Sequence, residues 1–252
     1  MTHPLPNRPA VPVSRNAVQD EGKPQDIDEF IYLISHDVRS SVRALLELPQ
    51  WIAEDLEAAG FEMGGQVETS IQLMNRHTAR LDKMLMDLLT FSRIGRMQTT
   101  REINLDTALD EVLEELNPPK SFTIIRAFDC PVVTVGDRDI MTLLTALISN
   151  AIKHHDKPSG RVVITSVRDG GATVLAVSDD GPGIPEEFHE KVFGAMTTLR
   201  SRDEVEGSGL GLANVRKIAA QYGGRARLVA SPYGRGSCIE VRMSQTPIGI
   251  ET

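Results

Sequence analysis

The strongest constraint on this chain is a long run of apolar residues at alternating three- and four-residue spacing. Ile27, Ile31, Ile34, Val38, Val42, Leu45, Ile52 and Leu56 fall on one face of a helix. Gly60, Gly64 and Gly65 mark a turn, and a second stripe follows at Ile71, Met74, Leu81, Leu85 and Leu88, with Phe91 nearby. Each stripe predicts a helix of about 30 residues, or about 45 Å. Two such helices form an antiparallel hairpin. One hairpin cannot bury a seam on both sides, so pairing with a second copy into a four-helix bundle is the natural solution. Pro49 lies inside the first helix and should kink it, since it removes a backbone donor.

The rest of the 252 residues read differently. Residues 1–25 carry Pro4, Pro6, Pro9, Pro12 and Pro24 among polar residues and read as a disordered tail. The hairpin occupies 26–98, with Gly95–Thr100 as a linker. From 99 to 246 helix and strand patterns alternate, and 247–252 form a short tail. Val132–Val135, Val162–Val167 and Val174–Val177 are β-branched runs; Leu143–Ile152, Glu186–Val192 and Leu210–Tyr222 read as helices. Arg225–Val229 and Ile239–Met243 predict a closing hairpin around a turn at Pro232–Gly236. The fold class expected is α plus α/β: a helical hairpin followed by a mixed sandwich.

Charge and cysteine usage narrow the function. The formal net charge of -8 argues against broad nucleic-acid binding. No run approaches about 18 apolar residues, so no membrane insertion is expected. The start shows no signal-peptide pattern. Cys130 and Cys238 fit no metal spacing, and a reduced, cytoplasmic setting is the simplest reading.

Three segments describe a nucleotide pocket. Asp179 ends a strand-like run and opens Asp179-Asp180-Gly181-Pro182-Gly183. A carboxylate there can accept a hydrogen bond from the exocyclic amine of adenine, and Gly181 and Gly183 allow a tight backbone turn beside the ring. Gly207, Ser208, Gly209, Leu210 and Gly211 lead straight into a helix, whose exposed N–H groups and dipole favour phosphate. No Lys-Ser/Thr follows, so this is not a P-loop. Asn150 is a reasonable ligand for a hydrated Mg²⁺, and Lys153, on the same helix face, can neutralise phosphate. Between Pro185 and Gly207, the residues Phe193, Met196, Arg200 and Arg202 have the make-up of a mobile lid or of a solvated loop over a buried Phe. His154-His155-Asp156 resembles a metal cluster, but adjacent helical residues point different ways.

On the first helix stands Ser35-His36-Asp37. A neutral imidazole is a competent nucleophile for phosphorus, and the adjacent carboxylate can orient the ring through its other proton. With a reference pKa near ~6.5, His36 is largely neutral at pH 7. A surface His beside an Asp is the plainer reading of these two residues alone. Combined with a nucleotide pocket, they point to phosphoryl transfer from ATP to histidine.

In this order the motifs closely resemble the catalytic core of bacterial two-component sensor histidine kinases. Ser35-His36-Asp37-Val38-Arg39-Ser40 is similar to the phosphoacceptor box, Asn150-Ala151-Ile152-Lys153 to the asparagine box, the two glycine segments to the paired glycine boxes, and Phe193 to the phenylalanine box. Gly234-Arg235-Gly236-Ser237 resembles the late Gly-x-Gly-Thr segment, with Ser237 supplying the hydroxyl. The resemblance covers about residues 26 to 245. It implies a homodimeric helical bundle and a Bergerat-type ATP-binding sandwich, with ATP and Mg²⁺ as cofactors. His36 would be phosphorylated, and an Asp of a response-regulator receiver domain would accept the group. No sensor segment is visible, so a separate sensor protein is a further expected partner. Ser41 stands where the family usually has Pro, Ser40 replaces the Thr or Asn used to position water for phosphatase activity, Ala146 replaces a polar residue, often Asn, and Met196 stands where a second Phe is common. Two other readings use the same residues: a phosphotransferase relay whose ATP domain has decayed, and a Ser/Thr kinase of the same ATP fold, which would not need the hairpin bearing His36.

Overall fold

The computed structural model describes residues 24–61, 64–96, 98–200 and 207–244; the side chains of 24–31, 33 and 35–37 fall outside that description. Helix α1 spans Pro24–Ala58 and continues across Pro49; α2 spans Gly65–Arg93. α1 therefore starts two residues inside the stretch read as a tail, and the remaining tail residues lie outside the described ones. The two helices pack along their length as a hairpin. Val42, Ile71 and Leu89 are buried, while Ile34, Leu45, Trp51, Ile52, Leu73 and Leu81 are exposed. The hairpin thus uses only part of its apolar surface on itself.

Strand β1 (Thr100–Asn104) leads directly into α3 (Leu105–Leu116). The Asn104 side chain caps α3, accepting hydrogen bonds from the N–H groups of Asp106 and Thr107 at 2.9 and 3.1 Å. Strands β2 (Phe122–Phe128) and β3 (Val132–Gly136) precede α4 (Asp137–Lys153). Then come β4 (Gly160–Asp169), β5 (Ala172–Asp179), α5 (Gly211–Gln221), β6 (Arg225–Val229) and β7 (Cys238–Ser244). β1 and β3 form an antiparallel ribbon, and a five-stranded sheet runs β2-β4-β5-β7-β6. β2 pairs parallel to β4, and the other neighbours are antiparallel.

One face of this sheet makes the core. Val162 and Ile164 of β4, Leu175 and Val177 of β5, and Ile239, Val241 and Met243 of β7 alternate inward along their strands. α3, α4 and α5 cover them with Leu109, Leu143, Leu144, Leu147, Ile148, Val215 and Ile218. This is a helical N-terminal part followed by a two-layer α/β unit.

Several elements depart from expectation. α4 begins at Asp137 rather than Leu143, because Asp137 and Asp139 suit the positive end of the helix. The helix expected at Glu186–Val192 is instead two single 3₁₀ turns, Glu186–Phe188 and Lys191–Phe193, whose ends close on the carbonyls of Glu186 and Lys191. The apolar residues there, Val192 and Phe193, are adjacent and do not make a helical stripe. Thr100, read as linker, opens β1.

Candidate active site

β5 ends at Asp179, and its carboxylate is the most elaborately held group in the site. Asp179 is 6% exposed. Its Oδ1 accepts hydrogen bonds from the N–H of Gly181 at 2.9 Å and of Ser237 at 3.1 Å. Its Oδ2 accepts from the Ser237 hydroxyl. The backbones also meet, Asp179 N–H donating to the Ser237 carbonyl at 2.9 Å. The approach works because position 236 is glycine. Its φ is +85°, and a Cβ there would stand 1.9 Å from the Asp179 carbonyl oxygen.

A cleft of about 620 Å³ opens beside this carboxylate. Asn150, Lys153, Asp179, Gly183, Gly207, Gly209, Gly211 and Ser237, all picked out in the sequence, line it. Gly181 contributes through its N–H on Asp179. Leu210 is 1% exposed and lies under the loop rather than on the wall: its N–H bonds the Ser208 hydroxyl, and its carbonyl accepts from Asn214. Ser40 lies exposed on α1 and is not one of the lining residues. His36 and Asp37 are within α1, with side chains outside the described set.

The cleft also contains residues the motifs did not reveal. On α4, Thr142, Thr145, Ala146, Ser149, Asn150 and Lys153 share one face. They recur at helical spacing, opposite the buried Leu143, Leu144, Leu147, Ile148 and Ala151. That polar stripe was a readable signal. Ala146 is the gap in it, and its Cβ lies 3.8 Å from where a Cβ on Gly211 would be. Asn214 of α5 is 6% exposed and lines the cleft, and its Oδ1 has no hydrogen-bond partner among the described residues. A buried carboxamide oxygen without a donor costs about 1–3 kcal/mol, so the wall carries an acceptor that a bound hydroxyl or water would satisfy.

Part of the segment read as a lid or a solvated loop lines the cleft. Thr197, Thr198, Leu199 and Arg200 line the cleft, and Phe193, 2% exposed, anchors the segment in the core. The backbone of Met196 and Thr197 passes so close to Gly209 that a Cβ there would meet it at 2.7 Å. Arg202 lies outside the described residues. Arg200 and Lys153 also act on His154, which lines the cleft. Its pKa is held below the usual histidine value, first by burial and then by these two cations. The neighbouring His155 turns away. Its Nδ1 accepts from the Lys157 N–H at 3.0 Å, which leaves Nε2–H to face Asp180 at 3.2 Å. The two histidines therefore do not converge.

The hairpin supplies the last wall. Lys83, Asp87 and Thr90 of α2 line the cleft. The Arg93 guanidinium lies 5.2 Å from the centroid of the Tyr32 ring, a contact between the two helices of the hairpin. His36 follows Tyr32 by one turn on α1.

Residues 136–247 match the family of histidine kinase-, DNA gyrase B-, and HSP90-like ATPases. The chain belongs with the catalytic cores of sensor histidine kinases. It is 31% identical over 225 residues to the methanogenesis regulatory histidine kinase FilI of Methanothrix harundinacea (strain 6Ac), covering 87% of this chain and 25% of that protein. The chain spans 25% to 30% of the length of the first curated relatives it matches. Among solved structures, full-length ShkA in complex with AMPPNP superposes with a TM-score of 0.63 at 23% identity, covering 87% of this chain and 47% of that one. The histidine kinase ThkA in complex with the response regulator TrrA gives 0.58 at 20% identity, covering 90% and 66%. These two likenesses concern the fold.

Proposed function

We propose that this chain uses ATP to phosphorylate His36 and passes the phosphoryl group to an aspartate of a response-regulator receiver domain. The observation that carries the reading is the seat of Asp179. A buried carboxylate, fixed by two N–H groups and a hydroxyl at the mouth of a nucleotide-sized cleft, is a preorganised acceptor for the exocyclic amine of adenine. From there the Gly207–Gly211 loop and the N-terminus of α5 follow the phosphates, with Lys153 and Arg200 as counter-charges. The Asn214 oxygen suits a sugar hydroxyl or a bound water. Asn150 would hold Mg²⁺, which when bound neutralises charge building on the transferring group.

The chemistry of the chain's own residues is then simple. A His36 ring nitrogen attacks the γ-phosphorus in line. The bond to the oxygen bridging the β- and γ-phosphates breaks, and ADP leaves with that electron pair. Asp37 accepts or orients the other ring proton. The protein contributes mainly positioning and charge neutralisation. A second copy covers the exposed apolar residues of the hairpin, among them Trp51 at 53% exposure, and completes a four-helix bundle. A receiver domain as acceptor draws support from the ThkA–TrrA likeness.

The test is incubation with Mg²⁺ and γ-labelled ATP. Acid-labile label on the wild-type chain, absent from the His36→Gln variant, is the expected result. Label that persists in that variant refutes the acceptor. The relay reading has one observation in its favour, the apolar Ala146 in the polar stripe of α4. Absence of binding heat with ATP in calorimetry would favour it.

A further inference from the structure

Resting on that reading, we propose that Lys217 is a positioning residue: it clamps α2 to α5 and so holds the hairpin against the nucleotide cleft. Lys217 is on α5, two turns past the Gly207–Gly211 loop. Its Nζ donates a 2.8 Å hydrogen bond to the Phe91 carbonyl and sits 4.3 Å from the centroid of the Phe91 ring. Phe91 is in the last turn of α2, where carbonyls have no partner within the helix and the dipole is negative. An ammonium there meets an orphan acceptor, a favourable dipole and an aromatic face together.

The clamp works against a rigid anchor one turn on. Gly95 approaches Gln221 so closely that a Cβ would stand 2.4 Å from its side chain. The Gly95 N–H points at Asp139 Oδ1 at 3.4 Å. Asp139 is 2% exposed, and its Oδ2 accepts from the Tyr222 hydroxyl at 2.7 Å; that hydroxyl accepts from the Gly136 N–H at 2.9 Å. The Arg138 N–H donates to Gln98 Oε1 at 3.2 Å. The exit of the hairpin is therefore tied to the starts of α4 and the end of α5. Lys83 and Asp87 lie two turns and one turn before Phe91 on the same helix, Thr90 directly precedes it, and the three form the hairpin's share of the cleft wall. Whatever sets the angle of α2 at Phe91 sets how that wall meets a bound nucleotide. Lys217 is not one of the residues that line the cleft, and its effect is exerted through α2.

The full chain is compared as wild type, Lys217→Met and Lys217→Arg. Three quantities are read: kcat and KM for autophosphorylation, the Kd of a non-hydrolysable ATP analogue by calorimetry, and the rate of tryptic cleavage after Arg96. With Met, kcat should fall about tenfold, the scale of one hydrogen bond to a charged group, while the analogue Kd stays within about twofold. Cleavage after Arg96 should quicken by a similar factor, as α2 leaves α5. Arg, which can still donate and stack, should restore most of both. An unchanged or raised kcat, or analogue affinity that falls in step with kcat, overturns the proposal. If the wild type takes no label, the kinase reading fails by itself. The cleavage rates then decide the clamp: no difference between wild type and Met overturns it.

Discussion

Substituting Gly236 by Ala should damage the Asp179 seat by an amount the geometry fixes. A Cβ at position 236 would stand 1.9 Å from the Asp179 carbonyl oxygen and 2.6 Å from its carbon, both backbone atoms. Real Cβ atoms keep at least 3.0 Å, so the start of β7 must withdraw from the end of β5 by more than an ångström. That withdrawal takes the Asp179–Ser237 backbone bond, now 2.9 Å, and the Ser237 N–H to Oδ1 bond, now 3.1 Å, beyond hydrogen-bonding range. Two buried bonds at about 1 kcal/mol each, plus about 1 kcal/mol for alanine at positive φ, give a loss near 3 kcal/mol. For a unit of this size that lowers Tm by about 6–12 °C. Gly170→Ala is the control: φ is +59°, but nothing lies within 4 Å, so only the backbone strain of about 1 kcal/mol applies. Thermal unfolding by circular dichroism compares the two, and calorimetry with ATP should show weakened binding for Gly236→Ala alone. Equal Tm shifts for both variants would refute the contact argument.

Asp179→Asn keeps the shape but removes the charge and one acceptor; ATP affinity should fall by about 10- to 100-fold in calorimetry, with His36 labelling reduced in parallel at low ATP. Asn104→Ala removes the cap of α3 and should cost about 0.5–2 kcal/mol in denaturant unfolding, with Asn104→Asp retaining stability. His154 is held neutral in the folded chain by burial and by Arg200 and Lys153. Its stabilising share is complete above the unfolded pKa of about 6.5 and is lost as pH falls below it, because the unfolded chain takes up the proton first. His154→Gln should therefore flatten the fall in Tm between pH 7.5 and 5.5, and an unchanged slope would exclude the effect. Trp51→Glu places a charge on the exposed apolar face of the hairpin and should shift sedimentation toward monomer at micromolar concentration.

What was legible in the chain follows the range of the interactions involved. The hairpin announced itself because a stripe repeated over many turns is a local pattern, and the turn at Gly60–Gly65 interrupts it. The glycine segments were legible because each carries its chemistry within a few residues. The stretch from Thr100 to Phe128 was not read, although Asn104 followed by Leu105, Leu109, Val112 and Leu116 is a capped amphipathic helix. β1 is a short strand whose burial pattern is almost wholly exposed, so it carries little alternation. The partnership of Asp179 with Ser237 joins residues 58 apart, and nothing local to either position states it.

The placement of α4 explains why the cleft lies where it does. Its apolar face, Leu143, Leu144, Leu147, Ile148 and Ala151, is spent on the sheet, which leaves Thr142, Thr145, Ser149, Asn150 and Lys153 facing outward along one line. The end of β5 delivers Asp179 to one side of that line, and the N-terminus of α5 delivers the Gly207–Gly211 loop to the other. A nucleotide needs an acceptor for its base, backbone donors for its phosphates and a polar floor between them. Here each is supplied by a different element, and α4 is the one that packs against the other two. A core substitution that rotates α4, such as Leu147→Ala, would thus be felt at both ends of the cleft. The hairpin meets this assembly through the end of α2, at one junction around Phe91, Gly95 and Asp139.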